Sequence, residues 1–190
     1  MKKKVLIEIS ARHVHLSQND LEKLFGRGYE LQKFKDLTQA SDFATKETLA
    51  VVGPKGMFPK VRIIGPVRKD SQVEVSATDA RFLGIDAPVR ISGNVENTPG
   101  ITLNGPKGKI KIKRGVIVAA RHLHAGDQQA KVLKIKNGSR VSIKVGGSRG
   151  IIFNNVITRV HPQFNLALHI DTDEANAAGI KGGDKGELFN

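Results

Sequence analysis

Cysteine is missing from all 190 residues. Disulfides, thiolate metal sites and a cysteine nucleophile are therefore excluded, and any zinc site must rest on histidine and carboxylate. Tryptophan is also missing and there is a single tyrosine, so the aromatic platforms that stack nucleic-acid bases lack their residues. No apolar run approaches the roughly 18 residues that a membrane-spanning helix needs. In the opening MKKKVLIEIS, Glu8 interrupts the apolar stretch, which leaves it too short for a signal peptide. A cytoplasmic location is the expectation. No low-complexity linker divides the chain, so its two halves are expected to pack closely.

Positive charge is what the chain has in excess. Lys and Arg number 31 against 18 Asp and Glu, for a net charge of +13. Nucleic acid, a polyanionic small molecule such as a nucleotide-bearing cofactor, and plain solubility all fit such a balance. The lysines are dispersed, and the chain matches no nucleic-acid motif. With 39% hydrophobic and 26% charged residues, the composition is that of a globular protein. Its length is enough for one domain or two small ones with a real core.

Four of the six histidines occur in two copies of one phrase, ARHVHLS at 11–17 and ARHLHAG at 120–126. Each follows an apolar run, VLIEIS and GVIVAA. Strand side chains alternate faces, so His13 and His15 share one face, as do His122 and His124. Two imidazoles spaced about 6.5 to 7 Å along the backbone can converge on one metal ion. A lone pair of this kind reads better as polar surface positions at a strand end; its repetition, with the preceding Arg and apolar strand, favours metal. The flanking Arg12 and Arg121 point to the opposite face and read as structural.

The repeat continues. VEVSATDARFLGI (73–85) and LHIDTDEANAAGI (168–180) each run from a short strand into a capping residue, Ser76 or Asp171. An acidic residue three positions later, Asp79 or Glu174, completes a capping box, and Gly84 or Gly179 ends the helix. In this alignment Glu74 falls opposite His169. Each half then offers three ligands: His13, His15 and Glu74, and His122, His124 and His169. Three protein ligands leave a coordination position open, the arrangement of a catalytic site. Arg68 lies six residues before Glu74, on the same parity if the strand extends that far. It reads either as an anion clamp or as a solvated turn arginine.

Helices are few: SQNDLEKLFG with Ser17 as cap and Gly26 as stop, and GDQQAKVLKIKNG. The two Gly-Pro-Lys-Gly segments lie between apolar runs as hairpin turns, and no helix opens behind them to make a phosphate loop. The fold class expected is mainly β with short α-helices, as two closely packed β-barrel domains related by internal duplication.

The strings RHVHLS, GPVRKDSQVEVSATDA, PGITLNGPKG, GVIVAARHLH and HIDTDEANAAG closely resemble the phosphate propanoyltransferases, the PduL-type phosphate acyltransferases, over essentially the whole chain. That resemblance implies interconversion of acyl-CoA plus phosphate with acyl phosphate plus CoA, using two zinc ions per chain. It implies His13, His15 and Glu74 on one side of a dizinc centre, with His122, His124 and His169 on the other, and Arg68 at the phosphate. It further implies a discontinuous barrel of residues 1–11 plus 120–190, a second barrel of 12–119, and the active site at their seam. CoA or acyl-CoA and phosphate are the expected partners, with no nucleic acid and no membrane, and a homodimer is a further expectation. His161 lies outside these strings and reads as structural or as a surface residue. Many relatives carry a targeting helix before the first strand; a strand starting near residue 4 leaves no room for one here. With no cysteine, histidines committed to metal and no serine in a nucleophile motif, direct transfer between bound substrates is expected over an acyl-enzyme. The rival readings are a dizinc hydrolase of esters or phosphoesters and a basic nucleic-acid-binding barrel.

Overall fold

The computed structural model describes residues 3–189. In chain order the elements are β1 (Lys3–Ser10), β2 (His13–His15), α1 (Gln18–Phe25), β3 (Lys33–Asp36), β4 (Phe43–Val52), β5 (Met57–Gly65), β6 (Gln72–Val75) and α2 (Ala77–Leu83). After the two-residue β7 (Val89–Arg90) come β8 (Ile101–Asn104), β9 (Lys109–Ile112), β10 (Val116–Ala119), β11 (His122–Ala125) and α3 (Asp127–Leu133). β12 (Arg140–Val145), β13 (Ile151–Val160), β14 (Ala167–Asp171), α4 (Thr172–Ala178) and β15 (Lys185–Phe189) complete the order. No helix is long and apolar enough to cross a membrane among the described residues.

The chain forms two compact units. The first comprises Met1–Ala11, Thr38–Ala40 and Ala120–Asn190; the second comprises Arg12–Leu37 and Ser41–Ala119. The first unit is a closed six-stranded barrel in the order β1-β14-β11-β13-β12-β15. Its core alternates along the strands: Val5 and Ile7 of β1, Leu123 of β11 and Leu168 of β14 are buried in one apolar cluster with Phe153. Each such side chain contributes about 1.5–3 kcal/mol by leaving water.

The second unit departs from the expected barrel. Its nine strands form an open sheet, β7-β10-β6-β2-β5-β4-β8-β9, with β3 paired to β4. The terminal β7 has only two residues, and Pro88 and Pro99 flank its region without amide hydrogens to donate. The chain there accepts Val118 N–H at Pro88 O, 3.1 Å, beside the short β10–β7 ladder, and Val116 N–H at Pro99 O, 3.0 Å. Val14, Leu16, Leu21, Leu24, Ile63 and Val73 form the centre of this unit's core.

The local expectations are met. Ser17 caps α1 by accepting from Asp20 N–H, and Ser76 with Asp79 and Asp171 with Glu174 form complete capping boxes. Gly84 and Gly179 adopt left-handed conformations at φ 75° and 64°, which spare the Cβ penalty a larger residue would meet. Both Gly-Pro-Lys-Gly segments are hairpin turns, joining β4 to β5 and β8 to β9. They have a further constraint: each turn sits on a helix C-terminus. Lys55 N–H donates to Leu83 O at the end of α2, and Lys107 N–H to Leu24 O at the end of α1. A Cβ on Gly53 or Gly105 would lie 2.2 or 2.5 Å from those same carbonyl oxygens, so the glycines serve close approach.

Candidate metal centre

The histidine pairs do not end the preceding apolar strands, as their spacing suggested. The chain passes from one unit to the other between Ala11 and Arg12, and again between Ala119 and Ala120. Each H-x-H therefore forms a short strand of its own, β2 or β11. In both units that strand has one parallel and one antiparallel neighbour. The antiparallel neighbour supplies the third ligand: His13 pairs with Glu74, and His122 pairs with His169. Val14 and Leu123 point into the cores, which turns both histidine pairs to the other face.

In the second unit His13, His15 and Glu74 bring ligand atoms within 4.8 Å of one another. His13 Nε2 is 3.2 Å from His15 Nε2, while Glu74 Oε2 is 3.6 Å from His13 Nε2 and Glu74 Oε1 is 3.8 Å from His15 Nε2. Zinc–nitrogen bonds of about 2.05 Å at tetrahedral angles set neighbouring ligand atoms about 3.3 Å apart. His15 Nδ1 donates to Ile64 O at 3.0 Å, leaving the Nε2 lone pair to face the cluster, as backbone carbonyls do for ligating histidines. Burial, then His13 and Arg68, hold His15 well below its ordinary value, so it is neutral and able to ligate.

Glu74 is buried, and burial alone would raise its carboxyl; His13, His15, the Ser92 hydroxyl and Arg68 outweigh that and lower it to about 2. A buried carboxylate needs compensating charge, and a cation held among these ligands would add to it. Around it, Gln72 Nε2 and Ser92 Oγ donate to Glu74 Oε1 at 2.5 and 2.6 Å, and Gly93 N–H holds Gln72 Oε1 at 2.8 Å.

Arg68 reaches this cluster by a different route from the one its sequence position suggested. β6 begins at Gln72, so Arg68 is not on the Glu74 strand. It is held beside β2 by Arg68 N–H to Leu16 O at 2.8 Å and an isolated bridge to Ser17. Its Nη1 donates to Ser92 Oγ at 3.0 Å, and Nη2 lies 3.8 Å from Asp42 Oδ2. Ser92 thus links the guanidinium to Glu74.

In the first unit His122, His124 and His169 form the second group able to hold a metal. The rings meet at centroid distances of 4.7 Å (His122–His124), 5.1 Å (His122–His169) and 4.7 Å (His124–His169). His122 Nδ1 donates to Ala120 O at 2.9 Å. His124 is buried and, among the described residues, neither ring nitrogen has a hydrogen-bond partner. An orphaned buried imidazole costs about 1–3 kcal/mol; a metal ion among the three rings would satisfy it. Burial, then His122, His169 and Arg159, lower His124 to about 2, so it too is neutral. Both donor sets therefore fit a divalent metal of zinc type.

Sequence reasoning did not find the residues behind His169. Glu8 pairs with His169 across the parallel β1–β14 ladder, with Oε2 3.6 Å from His169 Nε2, and Thr38 donates to Glu8. Gln39 Nε2 lies 3.4 Å from His169 Nε2, and its amide pairs with the Asn165 backbone at 3.1 and 3.2 Å. The alternation of β1 was a usable signal for Glu8, since Val5 and Ile7 face the core. Nothing local marks Gln39, Gln72 or Ser92. His161 is in neither group; it is exposed and its Nδ1 accepts from Gln163 N–H at 3.3 Å.

A mainly β protein with two histidine-based groups able to hold a metal, and an arginine hydrogen-bonded into one of them, is the class that fold and site define. A family model described as phosphate propanoyltransferase matches residues 6–181. Proteins named phosphate propanoyltransferase are 49% identical in Enterococcus faecalis, over 96% of this chain and 87% of that protein, and 49% in Thermotoga maritima, over 95% and 86%. The one from Salmonella typhimurium is 50% identical over 90% of this chain and 81% of its own length. The chain belongs to the phosphate propanoyltransferase family, a family of phosphate acyltransferases.

Proposed function

We propose that this protein transfers short acyl groups, propanoyl or acetyl, between CoA and inorganic phosphate, with one zinc ion at each cluster. His13, His15 and Glu74 would hold one ion; His122, His124 and His169 would hold the other. Bound zinc supplies Lewis-acid polarisation and charge neutralisation at the reacting oxygens. The observation that carries the reading is the Arg68–Ser92–Glu74 chain, which fixes a guanidinium beside a metal-ligand carboxylate. A planar guanidinium can take two phosphate oxygens by parallel hydrogen bonds, and Ser92 restricts its rotation.

Transfer proceeds directly in this reading. A phosphate oxygen attacks the thioester carbonyl, the C–S bond breaks, and CoA leaves as thiolate. Every histidine of the clusters is committed as a ligand, and no cysteine is available to carry an acyl group. Holding both substrates together supplies much of the rate. The net charge of +13 favours capture of polyanionic CoA and phosphate.

Release of free thiol from propanoyl-CoA and acetyl-CoA, with and without phosphate and with and without chelator, tests this. Thiol release should require both phosphate and metal. Release independent of phosphate would identify a hydrolase instead. With phosphate and acyl phosphate removed, exchange of labelled CoA into acyl-CoA should be absent; exchange at the turnover rate would establish an acyl-enzyme.

A further inference from the structure

The arginine that precedes each histidine pair makes the same two contacts in both units, to a helix-capping acid and to a phenylalanine ring. Arg12 Nη2 lies 2.7 Å from Asp79 Oδ1, and Arg121 Nε lies 2.7 Å from Glu174 Oε1. Those acids are the third residues of α2 and α4, the helices that directly follow the strands bearing Glu74 and His169. Each acid also closes a capping box: Asp79 Oδ2 accepts from Ser76 N–H at 3.4 Å, and Glu174 Oε2 from Asp171 N–H at 3.2 Å. Each guanidinium also sits over a phenylalanine of the parallel neighbour strand. Arg12 lies 4.2 Å from the Phe58 ring on β5, and Arg121 lies 5.5 Å from Phe153 on β13.

A chain of fixed points results. The backbone of Arg12 leads straight into His13, the first ligand. Its side chain holds a helix whose cap, Ser76, lies two residues after Glu74, the third ligand. β2 pairs with β6 through only His13–Glu74, Val14–Val73 and His15–Gln72, and β11 with β14 through only three pairs also. So short a ladder has little resistance to fraying at its end. In each unit the arginine fastens the end that carries a histidine and its opposing ligand. The acids are suited to it: Asp79 is buried, and a buried carboxylate needs a partner.

We propose that Arg12 and Arg121 are positioning residues, each holding the three ligands of its own cluster at metal-binding separation through the capping carboxylate of the following helix. This rests on the reading that the clusters hold metal. It assigns these arginines to the metal site, although both point away from the histidines.

The full-length chain in two backgrounds tests it. His169→Ala removes the first unit's cluster and leaves the second's; Glu74→Ala does the reverse. Zinc competition against a chromophoric chelator reads the remaining site, and the melting temperature of the metal-free protein is recorded alongside. In the His169→Ala background, Arg12→Ala should weaken zinc binding about 10- to 100-fold, the usual effect of losing an outer-shell partner, and Arg121→Ala should leave it unchanged. In the Glu74→Ala background the two should exchange roles. Asp79→Asn breaks the same ion pair while keeping an acceptor for Ser76 N–H, so it should reproduce Arg12→Ala if that variant folds poorly. Lowered melting temperature with unchanged zinc affinity, or equal weakening of both sites by either arginine variant, overturns the proposal. Absence of zinc binding in the unsubstituted chain would overturn the metal reading itself.

Discussion

The two clusters are built alike and charged differently. Each has a two-histidine strand, an antiparallel partner carrying the third ligand, and an arginine tied to a helix cap. In the second unit the third ligand is a carboxylate, and Arg68 and Ser92 are drawn to it. In the first unit it is an imidazole, and the carboxylate, Glu8, stands behind it at 3.6 Å from His169 Nε2. A divalent ion held by His13, His15 and Glu74 would have a net local charge near +1; one held by three neutral imidazoles would keep about +2. The difference suggests separate tasks on one scaffold. In the proposed reaction the more cationic first-unit site would be better suited to stabilise developing negative charge, while the second would present Arg68 to an incoming anion.

Breaking either cluster has the largest expected effect. Zinc content should fall from about two ions per chain to one in both His124→Ala and Glu74→Ala, and chelation should remove both. Because Lewis-acid assistance is worth several kcal/mol, turnover should drop by about three orders of magnitude in each. Metal analysis alongside steady-state rates checks this. One variant losing its ion while keeping full activity would show that only one cluster serves the reaction.

Arg68 sharpens the comparison. Arg68→Ala should cost about 2–4 kcal/mol of transition-state stabilisation, as for loss of an oxyanion donor, with zinc content preserved at the first unit. Arg68→Lys should not rescue, because an ammonium lacks the planar fork. Unchanged kcat/KM for phosphate would return Arg68 to a structural role. His161→Ala, outside both clusters, should keep activity and metal.

Acid acts on both clusters in one direction. His124 is held down to about 2, against an ordinary value near 6.5. Below pH 6.5 the unfolded chain binds a proton there that the folded chain refuses, so this stability is present above pH 6.5 and lost as pH falls toward 2. Glu74, lowered to about 2 from 4.5, contributes stability above pH 4.5 that is likewise lost toward 2. Urea unfolding of the metal-free protein from pH 7 to 4 should show falling stability, and His124→Ala should flatten the slope between pH 6.5 and 4.5. A slope unchanged by that substitution would contradict the assignment.

These contrasts were unequally legible in the sequence. The convergence of each group of three side chains could be read, because H-x-H parity and capping boxes are local patterns, and so could the hairpins and the ends of α1, α2 and α4. The open edge of the second sheet could not be read, since closure depends on whether two distant strands, β7 and β9, meet. The position of Arg68 depends on a bridge to Ser17, 51 positions away along the chain. Ser92 and Gln39 come from turns with no periodicity, and only the folded chain brings them to Glu74 and His169.

Those two residues give the smallest expected effect and the finest test of the asymmetry. Ser92 donates to Glu74 Oε1 and accepts from Arg68, so Ser92→Ala removes one donor from Glu74, keeps that of Gln72, and loosens the guanidinium. Gln39 touches only the other side, where its amide joins His169 to Asn165. Each substitution removes one outer-shell hydrogen bond and should lower zinc affinity roughly tenfold at its own site. The kinetic consequences should differ. Ser92→Ala should raise KM for phosphate, because it disturbs both Arg68 and Glu74; Gln39→Ala should lower kcat with KM for phosphate unchanged, because its bonds run to His169 and Asn165 rather than to Arg68. Steady-state kinetics at saturating zinc separates the two patterns. If both variants move KM for phosphate alike, the clusters do not divide the work, and the charge difference between Glu74 and His169 has no functional counterpart.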